Sequence, residues 1–205
     1  MYHHPVGDLT AFILAGGKST RMGTDKAFLQ LEGHTLLERA TEMARAVAGE
    51  VRVVGDPAKF ANFGRAVEDV YPERGPLGGI HAALSTTSTE LNLMLAVDLP
   101  FMEARFLAYL VSQARATGAV VTVPRAAGGF QPLCALYRRE FASLAEQSLR
   151  AGRNKIDPLF TQVETRVLEE AELARLGFSA EIFRNLNTPE DFAQANQNTQ
   201  RTQPK

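Results

Sequence analysis

The sequence lacks the features that mark several large classes of protein. It contains a single cysteine, Cys134, so no disulfide can form within the chain, which fits a reducing compartment. No apolar run approaches the roughly 20 residues of a membrane-spanning helix, and residues 1–8 contain no apolar signal-peptide segment. The formal net charge is −1, whereas nucleic-acid-binding proteins normally carry a strong basic excess. These absences predict a cytoplasmic protein that binds neither a membrane nor nucleic acid.

Several common catalytic and nucleotide-binding signatures are missing as well. Gly17-Lys18-Ser19 looks like the end of a P-loop, but that motif needs an earlier glycine at the position that Phe12 occupies. The dinucleotide-binding fingerprint is absent because Gly16 and Gly17 are adjacent. The histidines lack metal-ligand spacing, and no second cysteine is present. Cys134 lies in an apolar segment, which favours a buried small hydrophobic residue over a nucleophile.

Apolar segments alternate along the chain with segments of helical periodicity. The length of 205 residues fits one domain, and 45% hydrophobic residues supply enough apolar surface for a core. The alternation predicts a doubly wound α/β fold, with a mostly parallel sheet and helices on both faces. We expect one domain over residues 9–194, a flexible N-terminus over residues 1–8 and a disordered polar tail over residues 195–205.

A glycine-rich stretch, residues 14–27, directly follows the first predicted strand. Three glycines fall within eight residues of this stretch, and Lys18, Arg21 and Lys26 lie among or near them. Glycine lets backbone N–H groups approach an anion, and the cations offset the charge of that anion. The pattern fits a phosphate site, and a flexible basic surface turn is the alternative.

Two aspartates lie at the ends of predicted strands. Asp98 directly follows the buried segment Leu91–Val97, and Asp69 lies near the end of the segment Ala66–Val70. Open α/β sheets bind ligands along their carboxyl edge, where a carboxylate can hold Mg²⁺ together with substrate phosphates. Asp98 is therefore a candidate metal ligand and Asp69 a candidate ligand-binding residue. Turn formation or helix capping is the alternative for both.

A second glycine-rich segment, Gly75-Pro76-Leu77-Gly78-Gly79, precedes a helix predicted at Ile80–Leu84. Glycines before a helix permit close approach of a base or ribose, and the N-terminus of a helix favours anions. A ligand loop and a plain structural turn fit this segment equally.

Taken in order, these motifs resemble those of the molybdenum cofactor guanylyltransferase family, within the nucleotidyltransferase superfamily. The matching motifs are Leu14–Gly17, Arg21-Met22-Gly23, Asp25-Lys26, Gly75–Gly79, Asp98-Leu99-Pro100, Gln131-Pro132-Leu133 and Asn185–Asp191. The first loop alone indicates the superfamily, and the Gly16-Gly17 pair and the last segment indicate the family. The resemblance implies a nucleotidyltransferase domain that transfers GMP from GTP to the terminal phosphate of molybdopterin-bound molybdenum (Mo-molybdopterin). Pyrophosphate is released, and Mg²⁺ is required.

The resemblance also implies roles for particular residues. The implied nucleotide-binding residues are Leu14, Ala15, Gly16, Gly17, Lys26, Asp69, Gly78 and Asp98. Asp98 is also the implied Mg²⁺ ligand, and the implied catalytic residues are Arg21, Lys26 and Asp98. Asn185 and Asn187 match positions on the pterin side of the site. No protein nucleophile is needed, because the molybdopterin phosphate itself attacks the α-phosphorus of GTP.

The chain departs from the family at one position, and other functions stay open. Members often carry an asparagine shortly after the second strand, where this chain has Gly55-Asp56, so that nucleotide contact is not carried over. Arg153-Asn154-Lys155 fits either pterin binding or a solvated charge cluster. The alternatives are a cytidylyltransferase on the same cofactor, a sugar-phosphate nucleotidyltransferase and a catalytically inactive molybdopterin- or nucleotide-binding protein. Transient contact with proteins that make or accept the cofactor is a further partner prediction.

Overall fold

The computed structural model describes residues 8–16, 25–186, 188, 191, 192 and 195. The strands in this part of the chain are β1 (Leu9–Leu14), β2 (Gln30–Leu31), β3 (His34–Thr35), β4 (Glu50–Val54), β5 (Ala66–Val67), β6 (Leu91–Ala96), β7 (Val121–Ala126), β8 (Gly129–Phe130), β9 (Cys134–Arg138) and β10 (Thr165–Leu168). The α-helices are α1 (Leu36–Arg45), α2 (Pro57–Phe60), α3 (Pro76–Thr86), α4 (Ala104–Thr117), α5 (Phe141–Arg150) and α6 (Glu170–Arg175). Short 3₁₀ turns occur at Lys26–Phe28, Ala61–Phe63, Asp157–Leu159 and Ala180–Phe183.

The main sheet has the strand order β10-β7-β9-β6-β1-β4-β5, with β8 paired to β7, and β2 and β3 form a separate hairpin. Strands β6, β1, β4 and β5 are parallel, whereas β9 is antiparallel to both β6 and β7. Because β9 alone reverses within this path, the carboxyl ends of β5, β4, β1, β6 and β7 lie at one edge. The predicted mostly parallel α/β fold is confirmed.

Helices cover the sheet on both faces, and each face has its own apolar core. On β1, the side chains of Leu9, Ala11 and Ile13 pack with α1 and α4, whereas Phe12 packs with α3 and α5. Successive side chains of a strand point to opposite faces, so a strand between two helical layers must be apolar throughout. Strand β6 is buried from Leu91 to Ala96, which explains its nearly continuous apolar run.

The helix starts test the local predictions closely. Helix α1 begins at a capping box, in which Glu38 N donates to Thr35 Oγ1 at 3.1 Å and Thr35 N donates to the Glu38 carboxylate at 2.7 Å. Helix α3 begins at Pro76, so Gly78 lies inside its first turn. The prediction of a turn that precedes a helix at Ile80 is therefore wrong, since proline is favourable at the first position of a helix.

The C-terminal segment folds back onto the domain. Thr188 Oγ1 accepts from Asp191 N at 3.1 Å, and Thr188 N donates to the Asp191 carboxylate at 2.9 Å, so Thr188 is a capping residue. Phe192 packs in the core beneath α1 and α4. No helix in the described ranges is both long and apolar enough to cross a membrane.

Candidate functional site

At the carboxyl edge of the sheet, neighbouring strands end at the same level, so the loops that follow them begin side by side. Ala15 N donates to Val54 O at 3.1 Å, and Val97 N donates to Leu14 O at 3.2 Å. Both bonds continue the parallel ladders one residue beyond the strands. The loops that follow β1, β4 and β6 therefore begin next to one another, as expected for a ligand edge of an open α/β sheet.

Lys26 and Asp98 meet at this edge although 72 residues separate them in the sequence. Lys26 Nζ lies 3.1 Å from Asp98 Oδ2, and the two side chains are 19% and 21% exposed, respectively. Opposite charges at this distance, partly shielded from water, attract each other more strongly than an exposed pair. Two of the three predicted catalytic residues are thus in direct contact. The third, Arg21, lies outside the described residues, as does Gly17.

Hydrogen bonds, an ion pair and a buried side chain hold the turn that carries Lys26. Asp25 Oδ1 accepts from Ala27 N at 2.8 Å and so caps the 3₁₀ turn. The other carboxylate oxygen of Asp25 forms an ion pair with Lys59 of α2. Ala27 is fully buried and Leu36 N donates to Leu29 O at 2.9 Å, so both sides of the turn are fixed. Lys26 therefore projects from a rigid support.

The segment that contains Asn185 and Leu186 also lies at the carboxyl edge of the sheet, next to Asp98. Leu186 N donates to Asp98 O at 3.2 Å, and the Leu186 side chain is buried. This bond places Asn185, which is exposed, beside the aspartate loop. Asn187, the other residue predicted on the pterin side, lies outside the described residues.

Asp69 lies against the first turn of α3. Its Oδ1 accepts from Tyr71 N at 2.8 Å. A Cβ atom added to Gly78 would stand 2.7 Å and 2.9 Å from the two carboxylate oxygens, so only glycine permits this approach. Burial raises the pKa of Asp69, and the Tyr71 N–H partly offsets that effect. Asp69 and Gly78 are thus brought together.

Two residues beside Asp69, Tyr71 and His81, are not predicted as site residues from the sequence. His81, one helical turn after Gly78, is buried, and its ring centroid lies 5.2 Å from that of Tyr71. Burial lowers the pKa of His81, while the charges of Glu146 and Asp69 act in the opposite direction. The signal that could have found His81 is its three-residue spacing from Gly78, which places both on one helix face.

The departure at Gly55-Asp56 has a local structural explanation. Asp56 Oδ1 accepts from Ala58 N at 2.9 Å, so Asp56 caps α2. A Cβ atom on Gly55 would stand 2.6 Å from the Phe60 ring, which leaves no room for a side chain there. Both residues serve the start of α2.

Among the described residues, few side chains at this edge are available as metal ligands. In the described ranges, no group of three or more His, Cys, Asp or Glu side chains is placed to hold a metal ion. A partly exposed carboxylate such as Asp98 fits Mg²⁺, which proteins often hold with one or two carboxylates, substrate phosphates and water.

Cys134 is fully buried and burial raises the pKa of its thiol, so the prediction of a small hydrophobic residue is confirmed.

Comparison with known proteins shows the family of this chain. Residues 11–167 match the family model of the MobA-like NTP transferase domain. The chain is 35% identical over 188 residues to the "Probable molybdenum cofactor guanylyltransferase" of Pelotomaculum thermopropionicum, covering 91% of each chain. It is 32% identical over 185 residues to the "Molybdenum cofactor guanylyltransferase" of Syntrophotalea carbinolica, covering 89% of this chain and 88% of that one.

A solved structure shares the fold. The crystal structure of molybdopterin-guanine dinucleotide biosynthesis protein A from Archaeoglobus fulgidus superposes with a TM-score of 0.81 at 23% identity, covering 94% of this chain and all of that one. The fold and the family model define the protein as a nucleotidyltransferase. More narrowly, the chain belongs to the molybdenum cofactor guanylyltransferase family, as the sequence motifs predict.

Proposed function

We propose that the protein transfers GMP from GTP to the terminal phosphate of Mo-molybdopterin. An oxygen of that phosphate attacks the α-phosphorus of GTP, and the bond to the β-phosphate breaks to release pyrophosphate. The observation that carries the proposal is the contact of Lys26 with Asp98 at the carboxyl edge, in a chain of this family. A cation and a metal-binding carboxylate side by side suit a reaction that moves phosphate charge.

The glycine-rich stretch, residues 14–27, binds the nucleotide, and its glycines supply the hydrogen-bond donors. Leu14 O already accepts from Val97 N, and Ala15 N already donates to Val54 O. These two residues therefore anchor the loop and contact the nucleotide through their remaining atoms. The N–H groups that meet the phosphates come from Gly16 onward, including Gly17. Asp69 and Gly78 bind the nucleoside end.

Catalysis rests on positioning and charge, because the acceptor phosphate is itself the nucleophile. Asp98 would hold Mg²⁺ jointly with the phosphates, and the ion would supply Lewis-acid neutralisation of phosphate charge. Lys26 neutralises Asp98 before the substrates arrive and turns to the phosphates afterwards. Arg21 stabilises the charge that develops on the leaving pyrophosphate. The charge of the Asp98 carboxylate is thus offset by Lys26 before the substrates bind, and it would be offset by the metal ion afterwards.

The acceptor lies on the side of the C-terminal segment. Asn185 is exposed next to the Leu186–Asp98 hydrogen bond, and its amide offers both donor and acceptor atoms. A pterin edge presents the complementary donors and acceptors, so we assign Asn185 and Asn187 to the pterin. The cytoplasmic location, the domain limits and the transient protein contacts stay predictions.

The experiment that tests this proposal is a pyrophosphate-release assay with Mo-molybdopterin and each of the four nucleoside triphosphates. GTP alone should give pyrophosphate and the guanine dinucleotide product, in a reaction that requires Mg²⁺. Preferred turnover of CTP would overturn the guanylyl assignment and support the cytidylyl alternative. Binding of GTP without pyrophosphate release would overturn the catalytic assignment.

A further inference from the structure

Buried His81 and half-buried Tyr71 form an aromatic pair beside Asp69. His81 is only 7% exposed, and its Nε2 lies 3.1 Å from the hydroxyl of Ser85, one turn further along α3. The ring meets the Tyr71 ring edge-on, with an interplanar angle of 73°. Edge-to-face pairs at such distances are favourable beyond the area that they bury. The Ser85 hydrogen bond therefore fixes a ring that in turn supports Tyr71.

Tyr71 is held at its other end by α5. Its hydroxyl lies 3.4 Å from Glu146 Oε1, and Glu146 forms an ion pair with Arg150 at 2.7 Å. The backbone N–H of Tyr71 donates to Asp69 Oδ1 at 2.8 Å. The position of Tyr71 thus sets the position of the Asp69 carboxylate.

Stability alone does not explain a histidine at position 81. In the described part of the structure, His81 Nδ1 is buried and has no hydrogen-bond partner. A buried polar atom without a partner destabilises a fold, so an apolar side chain would suit this place better. The charged groups around the ring are Asp69, Glu146 and Arg150. His81 thus carries an unpaired nitrogen next to the proposed nucleoside end of the site.

We propose that His81 is a positioning residue for the nucleotide, which acts by bracing Tyr71 and, through it, the Asp69 carboxylate. This inference rests on the proposed binding of the nucleoside by Asp69. It predicts that His81 influences GTP affinity and leaves the phosphate-transfer chemistry at Lys26 and Asp98 unchanged.

The test measures the Kd for GTP by calorimetry, and kcat with saturating substrates, for substituted full-length proteins. His81→Leu fills the space without a ring, and we expect its Kd to rise roughly tenfold with kcat within about twofold. His81→Phe restores the ring contact and should bring Kd back to within about threefold of wild type. The melting temperature of His81→Leu should equal or exceed that of wild type.

A double-mutant cycle locates the effect. If His81 acts through Tyr71, His81→Leu should add little to the loss in a Tyr71→Leu background, because both changes remove one contact. Thr122→Val is the matched control, since Thr122 is buried in β7 and its hydroxyl also has no partner in the described residues. It should leave the Kd for GTP unchanged.

The outcomes separate the two proposals. An unchanged Kd in Asp69→Asn would overturn the nucleoside site and this inference with it. A raised Kd in Asp69→Asn, combined with a wild-type Kd in His81→Leu or with additive losses in the cycle, would overturn this inference alone. If His81→Leu does not fold, Ser85→Ala takes its place in the cycle, with an expected rise in Kd of about twofold.

Discussion

The two ends of the proposed site use their aspartates in opposite ways. At the phosphate end, Asp98 faces the Lys26 ammonium 3.1 Å away, and both side chains keep about a fifth of their surface exposed. At the nucleoside end, Asp69 is supported by a backbone N–H, and burial raises its pKa. A carboxylate that is paired with a lysine can exchange that partner for a metal ion, whereas a partly desolvated carboxylate without such a partner gains most from a hydrogen-bond donor on a ligand. In the proposed reaction, the same residue type thus serves nucleotidyl transfer at one end and nucleoside recognition at the other.

The largest effect is expected at the phosphate end. Asp98→Ala should lower kcat by roughly 100-fold or more, because it removes the proposed metal ligand and leaves Lys26 without its carboxylate. The melting temperature should change little, since the side chain lies at the edge of the sheet. Initial rates of pyrophosphate release at saturating GTP and Mg²⁺ measure the loss. Asp56→Asn should keep wild-type turnover, because asparagine also caps α2. Full activity of Asp98→Ala would contradict the role proposed for Asp98, and with it the proposed functional difference between the phosphate end and the nucleoside end.

The nucleoside end can be disturbed by a single methyl group. Gly78→Ala places a Cβ atom against both oxygens of Asp69, at 2.7 Å and 2.9 Å, so the carboxylate must move. We expect the Kd for GTP to rise roughly tenfold while kcat at saturation stays within a few fold.

Gly79→Ala is the matched control for this substitution, because its Cβ would make ordinary contacts at 3.5 Å and 3.6 Å. It should keep the wild-type Kd and stabilise α3, since alanine favours a helix over glycine by roughly 1 kcal/mol. Equal effects of the two substitutions on Kd would contradict the placement of Asp69 against Gly78.

The raised pKa of Asp69 predicts a conflict between stability and binding. A carboxyl with a raised pKa in the folded state favours folding below its ordinary pKa of 3.8 and loses that contribution as the pH rises through the folded value. Asp69→Asn should therefore be more stable than wild type at pH 7, and the difference should shrink toward pH 4. Urea unfolding at several pH values measures it. The same variant should bind GTP more weakly, and a pH-independent stability difference would contradict the burial of Asp69.

The smallest effect is expected away from both ends. Thr35→Ala removes the cap of α1 and should lower the free energy of unfolding by about 1 kcal/mol, with no change in the Kd for GTP. Urea unfolding and calorimetry measure the two quantities. A weakened affinity would mean that the start of α1 takes part in the site, so that the site and its scaffold are not separable.

Local features of this protein were accessible from short stretches of sequence. The Thr35–Glu38 capping box involves neighbours three residues apart, and the burial of β6 appears as an apolar run. The family motifs also predict that Lys26, Asp69 and Asp98 share one site, and the structure shows the contact between Lys26 and Asp98. The prediction that α3 starts at Ile80 is wrong, because two adjacent glycines at positions 78 and 79 indicate a turn when only the sequence is considered. In the fold Gly78 permits the close approach of Asp69, whereas Gly79 has room for a Cβ atom.

Sequence periodicity and motifs determined the α/β class, the family and the identity of the candidate residues, because these depend on residue type and spacing. The reversed direction of β9, the 3.1 Å contact between Lys26 and Asp98, and the His81–Tyr71 support of Asp69 depend on chain segments far apart in sequence. Such contacts arise from the packing of whole elements and leave no local pattern. Only the tertiary structure therefore decided how the two aspartates differ in environment, and with it their separate parts in the proposed reaction.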